Sequence, residues 1–192
     1  MRYTIIRNIT KEGKWNKYNY RVSELPKMSA STNYHRNIEK AIWDVEYNNI
    51  WYVEQNNSSL RWTEWIPIVN FFIALFYHRK YTVFRDGICV GNADKIKEKG
   101  EMVAKRRFTI HEKEYFIGRG NTTVGWPNKK YEWPIERQDG KVLAIVKKPS
   151  GEAVYKLEIL EEMPIEILIL MVMMTDIHRF SSENTSPTNA NC

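Results

Sequence analysis

The sequence holds no apolar run long enough to cross a membrane as a helix. A spanning helix needs roughly 20 apolar residues. The two most apolar stretches, Trp65–Tyr77 and Pro164–Phe180, meet charge well before that. Glu64 and His78-Arg79-Lys80 bound the first, while Glu166 and Asp176 bracket the apolar run of the second. Cysteine is nearly missing: Cys89 and Cys192 make neither a metal pair nor a disulfide framework. With Cys192 at the last position, a prenylation box lacks the residues it needs after its cysteine. The stretch "MRYTIIRNITKEGKW" has neither the apolar core nor the cleavage site of a secretory signal. The expectation is a cytoplasmic protein, peripheral if it meets a membrane at all. In that setting "NIT", "NSS", "NTT" and "NTS" are chance glycosylation sequons.

Catalytic chemistry is also missing. There is no Gly-x-Ser-x-Gly, and Cys89 sits in a β-rich run with no neighbouring histidine. His35, His78, His111 and His178 stand singly, without metal-ligand spacing. In "DIHRF", Asp176 and His178 are two apart, which puts them on different faces of a helix and predicts cap and surface roles. No catalytic residue, metal ligand or cofactor is read from the sequence.

What is present is globular. The aromatic content of 13% and hydrophobic content of 43% exceed those of a disordered chain. A length of 192 residues fits one domain, over residues 1–180, with the polar "SSENTSPTNANC" at 181–192 as a disordered tail. The net charge of +6 is a mild basic bias toward anionic partners.

The second half alternates in steps of two between turn signals. "YTVFRDGICVG" has β-rich runs on both sides of Asp86-Gly87, a two-residue hairpin signal. "YEWPIERQDGKVLAIVKK" repeats the device around Asp139-Gly140, and Pro149–Gly151 supplies a third turn. In the strand after it, Ala153, Tyr155, Leu157 and Ile159 share one face. "KRRFTIHEKEYFIG" reads as two strands around a turn near Glu112-Lys113. In the first half "WNKYNYRV" reads as a strand and "ELPKMSASTN" as a polar loop. "AIWDVEYNNIWYVEQ" reads as a hairpin, with a helix over "NIEKAIWDVEY" as the competing assignment. Ile167 to Met174 is apolar all round, so a helix there belongs inside the protein. Pro164 and Glu166 suit its start, and His178 and Arg179 its end. A sheet can bury such a helix on all sides only by curling around it. The predicted fold is therefore mainly β (α+β), an antiparallel β-barrel of hairpins wrapped around a buried C-terminal hydrophobic helix.

On "YTVFRDGICVGNA", "YEWPIERQDGKVLAIVKK" and "YKLEILEEMPIEILILMVMMTDIHRF", the chain resembles the tubby C-terminal superfamily. That group joins the tubby proteins, the LURP-one-related proteins and the phospholipid scramblases, with small bacterial relatives. The resemblance covers about Tyr81 to Phe180, with Asp176 as the acidic residue at the end of the central helix. It implies a twelve-stranded barrel around one helix and a binding role. Trp65–Tyr77 departs from the pattern, as a barrel strand plus turn or as an extra helix packed outside. The phosphoinositide site of the tubby proteins has no residue-by-residue match here.

Three basic groups and one loop remain as candidate sites. Gly118–Lys130 has glycines that could bare amides to an anion, but lacks the spacing of a phosphate-binding loop. Lys105, Arg107, Lys129, Lys130, Lys147 and Lys148 are the candidate contacts to anionic lipid, if their groups converge. Solvated strand ends are the plainer reading. The expected function is non-enzymatic binding or scaffolding, toward an anionic phospholipid surface or an unidentified protein. The alternatives are an enzyme with a site of scattered residues in a barrel, and a nucleic-acid-binding protein. Nucleic acid ranks last, because no stacking pair of an RNA-recognition sheet is present.

Overall fold

The computed structural model describes residues 1–12, 15–33, 41–45, 49–55, 80–96, 105–118, 121–123, 130–149 and 151–179. Within them the first five strands are β1 (Arg2–Glu12), β2 (Trp15–Val22), β3 (Leu25–Asn33), β4 (Ala41–Val45) and β5 (Asn49–Gln55). Then come β6 (Tyr81–Arg85), β7 (Ile88–Ile96), β8 (Lys105–Ile110), β9 (Lys113–Ile117) and β10 (Asn121–Thr123). β11 (Lys130–Arg137), β12 (Val142–Pro149), β13 (Val154–Ile159) and the helix α1 (Ile165–Arg179) complete the order. The protein is mainly antiparallel β with one helix among the described residues.

One sheet holds all thirteen strands, in the order β10-β11-β12-β13-β1-β2-β3-β4-β5-β6-β7-β8-β9. Both ends of that order meet on β11. β10 pairs with its first residues, Lys130 to Glu132, and β9 with its last, Ile135 to Arg137. Period-two alternation decides what each strand buries. Ile5 and Arg7, Tyr18 and Tyr20, Trp51 and Val53, Trp133 and Ile135, and Tyr155 and Leu157 all turn to one core. Against them lies α1, buried without a break from Ile167 to Asp176. Ten consecutive helical positions point in every direction around the axis, so this helix is covered on all sides. Met171, Met173 and Met174 add flexible side chains that fill the irregular gap between helix and sheet.

The turns are mostly those the sequence predicts. Asp86 (φ 51) and Gly87 (φ 82) both sit at positive φ, as a type I′ hairpin requires. His111 (φ 47) and Glu112 (φ 63) form a second such turn, one residue earlier than expected. The Asp139-Gly140 hairpin differs in kind. Arg137 N donates to Lys141 O and Gly140 N to Arg137 O, and of the pair only Gly140 has positive φ. That is a three-residue loop closing on a left-handed glycine. "AIWDVEYNNIWYVEQ" is a hairpin, with Val45 opposite Asn49.

One expectation is overturned: "ELPKMSASTN" is no loop, since β3 runs through it and pairs with β2 and β4. Ser29 and Ser31 face outward, while Met28 and Ala30 fill inward positions. Two inward side chains sufficed where a loop composition hid the alternation. The expectations for Trp65–Tyr77 and for the tail at 181–192 fall outside the described residues. No described helix is long and apolar enough to cross a membrane.

Candidate functional site

Chemistry-bearing groups gather where α1 ends against β1, β2 and β13. Arg7 takes an inward position on β1 two residues after Ile5, which places a guanidinium among apolar neighbours. Its Nη1 donates to Asp176 Oδ1 at 2.8 Å, and neither side chain has any exposure. Tyr20 Oη donates to Asp176 Oδ2 at 2.6 Å. Tyr155 Oη donates to Oδ1. The face of Tyr18 lies 5.5 Å from the Arg7 guanidinium carbon, and Trp133 meets Tyr155 edge-on at 6.3 Å.

These contacts set the charge states of Tyr20 and Arg7. Burial, then the Asp176 charge, pushes the Tyr20 phenol well above its ordinary value, so it stays protonated and donating. Burial works against the Arg7 charge, but Asp176 and the two tyrosines outweigh it and its pKa rises. A low-dielectric interior holds the ion pair tightly, and two phenols complete the carboxylate. Asp176 is thus neither a cap nor a surface residue, as "DIHRF" had suggested. The cluster ties the end of α1 to three strands.

The candidates whose side chains are described, Lys105, Arg107, Lys147 and Lys148, do not form one patch. Arg107 faces outward on β8, with Nε and Nη2 on Asp94 at 3.1 and 2.8 Å and Nη1 on Glu114 at 3.4 Å. Its hydrogen bonds to Asp94 raise its pKa, burial opposes this, and the Asp94 and Glu114 charges add to the rise. Lys105 is half-buried at the start of the same strand, opposite Ile96. Lys147 and Lys148 are neighbours on β12 and so point to opposite sides. Lys147 faces out toward Glu158 at 3.4 Å, and Glu158 also receives Arg2 at 3.3 Å. Lys148 corrects the sequence reading: it is fully buried, 3.4 Å from Pro149 O and 5.6 Å from the centre of the Tyr131 ring. Lys130 opens β11 opposite Pro149, while its side chain and Lys129 lie outside the described residues. β8 and β12 are separated in the sheet by β9 and β11. The register instead groups Lys130, Lys147 and Lys156 on adjacent strands, with Lys147 directly opposite Lys156.

Sequence reading missed both the Arg7–Asp176 pair and Lys156. The first left one trace, a single arginine at an inward position of "YTIIRNI". Among the described residues no His, Cys, Asp and Glu group could hold a metal ion. Cys89 is a free, exposed thiol. Compared with protein-family models, curated proteins and solved structures, the chain gives no match.

Proposed function

We propose that this chain is a non-enzymatic binding or scaffold protein of the tubby and LURP-one type, in which the sheet closes as a barrel around α1. Pairing of both β9 and β10 with β11, together with the unbroken burial of Ile167 to Asp176, supports the barrel. The observation that carries the binding reading is the state of the interior. A barrel enzyme needs reachable reactive groups inside. Here Arg7, Tyr20, Tyr155 and Asp176 are buried and bonded to one another. Recognition then belongs to the outside, and the partner is an anionic phospholipid surface met from the cytoplasm by the outward lysines Lys147 and Lys156. Each exposed lysine near an acidic bilayer contributes about 1 kcal/mol, and salt screens it. The test is co-sedimentation with vesicles. Acidic vesicles should capture the protein at low salt and release it as salt rises, and zwitterionic vesicles should not capture it. Indifference to acidic vesicles at low salt would sink the lipid reading.

A further inference from the structure

The large hydrophobic side chains that stand exposed are not scattered. Among the described residues they are Met1, Ile50, Ile88 and Leu160, at 79%, 46%, 69% and 50% exposure. From β13 through β1 to β7 every pairing is antiparallel, so β1, β3, β5 and β7 all start at the end where β13 finishes. Met1 precedes β1 and exchanges backbone hydrogen bonds with Ile159, and Leu160 follows β13. Ile88 opens β7. Ile50 N donates to Asp86 Oδ1 at 2.7 Å and Asp86 N to Ile50 O at 2.8 Å, which ties Ile50 to the turn just before Ile88. All four mark one end of the sheet.

They form two groups, Met1 with Leu160 at β1 and β13, and Ile50 with Ile88 at β5 and β7. In one direction β2, β3 and β4 lie between the groups, and in the other β8, β9, β11 and β12. When the sheet closes as proposed above, the groups sit on opposite sides of its rim. Charged turns lie between them, with Asp139 held by Arg137, and Glu161 by Lys141 at 2.9 Å. A folded protein partner takes one contiguous face of roughly 800 Å² with an apolar centre. Two small apolar groups parted by charged turns do not make that centre. A bilayer asks only that apolar tips reach one plane. Lys156 lies three residues back from Ile159, roughly 10 Å along β13 and about one screening length from the rim. We infer, on the lipid reading above, that this turn end faces the bilayer. Met1, Leu160, Ile50 and Ile88 enter the headgroup and upper acyl layer, while Lys147 and Lys156 draw on the acidic surface from the wall. The exposed Glu112 and Glu162 share this end and are repelled by acidic lipid, so burial of the apolar tips is what holds it down.

Depth-sensitive probes on vesicle-bound protein test this. In a Cys89→Ser/Cys192→Ser chain, an environment-sensitive fluorophore is placed by Ile88→Cys, by Leu160→Cys, or by Asn92→Cys, an exposed position four residues further along β7. Vesicles of phosphatidylserine and phosphatidylcholine at low salt should shift the emission at positions 88 and 160 to the blue. Lipids carrying a nitroxide just below the headgroup should quench both, and position 92 should show neither effect. In the otherwise native chain, Ile88→Thr/Leu160→Ser should weaken partitioning into these vesicles roughly ten-fold or more, with an unchanged melt and the salt dependence retained. Capture with positions 88 and 160 left in water, or with only one of them quenched, overturns the inference and leaves the lipid reading standing. Failure of the wild type to bind acidic vesicles overturns both. A blue shift without vesicles that grows with protein concentration would assign this end to a second copy of the chain. Equal partitioning of wild type and Ile88→Thr/Leu160→Ser would show that the tips stay out of the bilayer. Either result overturns the inference.

Discussion

Removing the Asp176 carboxylate while leaving Arg7 in place would leave a guanidinium of zero exposure without its counter-ion. Breaking one side of such a pair costs about 3–5 kcal/mol, because the remaining charge stays desolvated. Asp176→Asn and Arg7→Met should each lower the denaturant midpoint by that order. The double variant Arg7→Met/Asp176→Leu should recover most of the loss, since no uncompensated charge remains. Additive losses in the double-mutant cycle would show that the two residues act separately. Tyr20 adds a pH dependence of known sign. Its folded pKa is raised well above 10.0, so the folded state holds this proton more tightly than the unfolded state does. The stabilisation it gives is complete below the unfolded value and falls as pH climbs from about 10 toward the folded pKa. Denaturant melts should therefore weaken above pH 10, and Tyr20→Phe should flatten that decline while costing about 1.5–3 kcal/mol at neutral pH. An equally steep decline in Tyr20→Phe would assign it to other groups. None of this was legible in the sequence, because Arg7 and Asp176 are 169 residues apart and no local pattern joins them.

Elements were more legible than residues, and for a physical reason. Where β-branched or aromatic side chains alternate, as in "YTVFR" or "VYKLEI", the buried face shows itself, and the helix of α1 shows itself by having no polar face. β3 stayed hidden because Ser29 and its small neighbours form its outward face, with only Met28 and Ala30 clearly inward. Gly91 was hidden for a different reason, since its importance lies in its partner strand. The β6–β7 register shifts between Val83 and Phe84, and a Cβ at Gly91 would sit 1.9 Å from the Thr109 carbonyl oxygen. That oxygen is backbone, so β7 and β8 would have to separate. Gly91→Ala should cost about 1–3 kcal/mol, as overpacking does. Gly118→Ala, where a Cβ meets nothing within 4 Å, should stay within about 0.5 kcal/mol. Equal chemical-denaturation midpoints for the two variants would refute the close approach.

At the scale of the whole molecule, the chain's ends and tight turns have an order that no local reading contains. Ser23-Glu24, Asp86-Gly87 and His111-Glu112 all turn at the end of the sheet where Met1 meets Ile159 and α1 begins. The connections 34–40, 56–79 and 97–104 join strand ends at the other end. Between the two ends, β12 carries one lysine outward and the next inward, and this separates binding from folding. Lys147 and Lys156 face outward opposite each other, so reversing both to Glu removes attraction to an acidic surface and, within the fold, one exposed ion pair from Lys147 to Glu158. The Lys147→Glu/Lys156→Glu variant should keep a melt close to wild type, since an exposed ion pair such as Lys147–Glu158 contributes about 0–1 kcal/mol. Its capture by acidic vesicles should fall sharply, and its salt dependence should flatten. Lys148→Glu is the opposite case: a buried position turned acidic beside Pro149 O, with a cost of several kcal/mol. It should unfold the chain or lower its melt steeply, while any folded fraction keeps the outward lysines. If Lys147→Glu/Lys156→Glu binds acidic vesicles as the wild type does, the anionic surface is recognised elsewhere on the sheet, and Lys147 and Lys156 are solvated strand positions only.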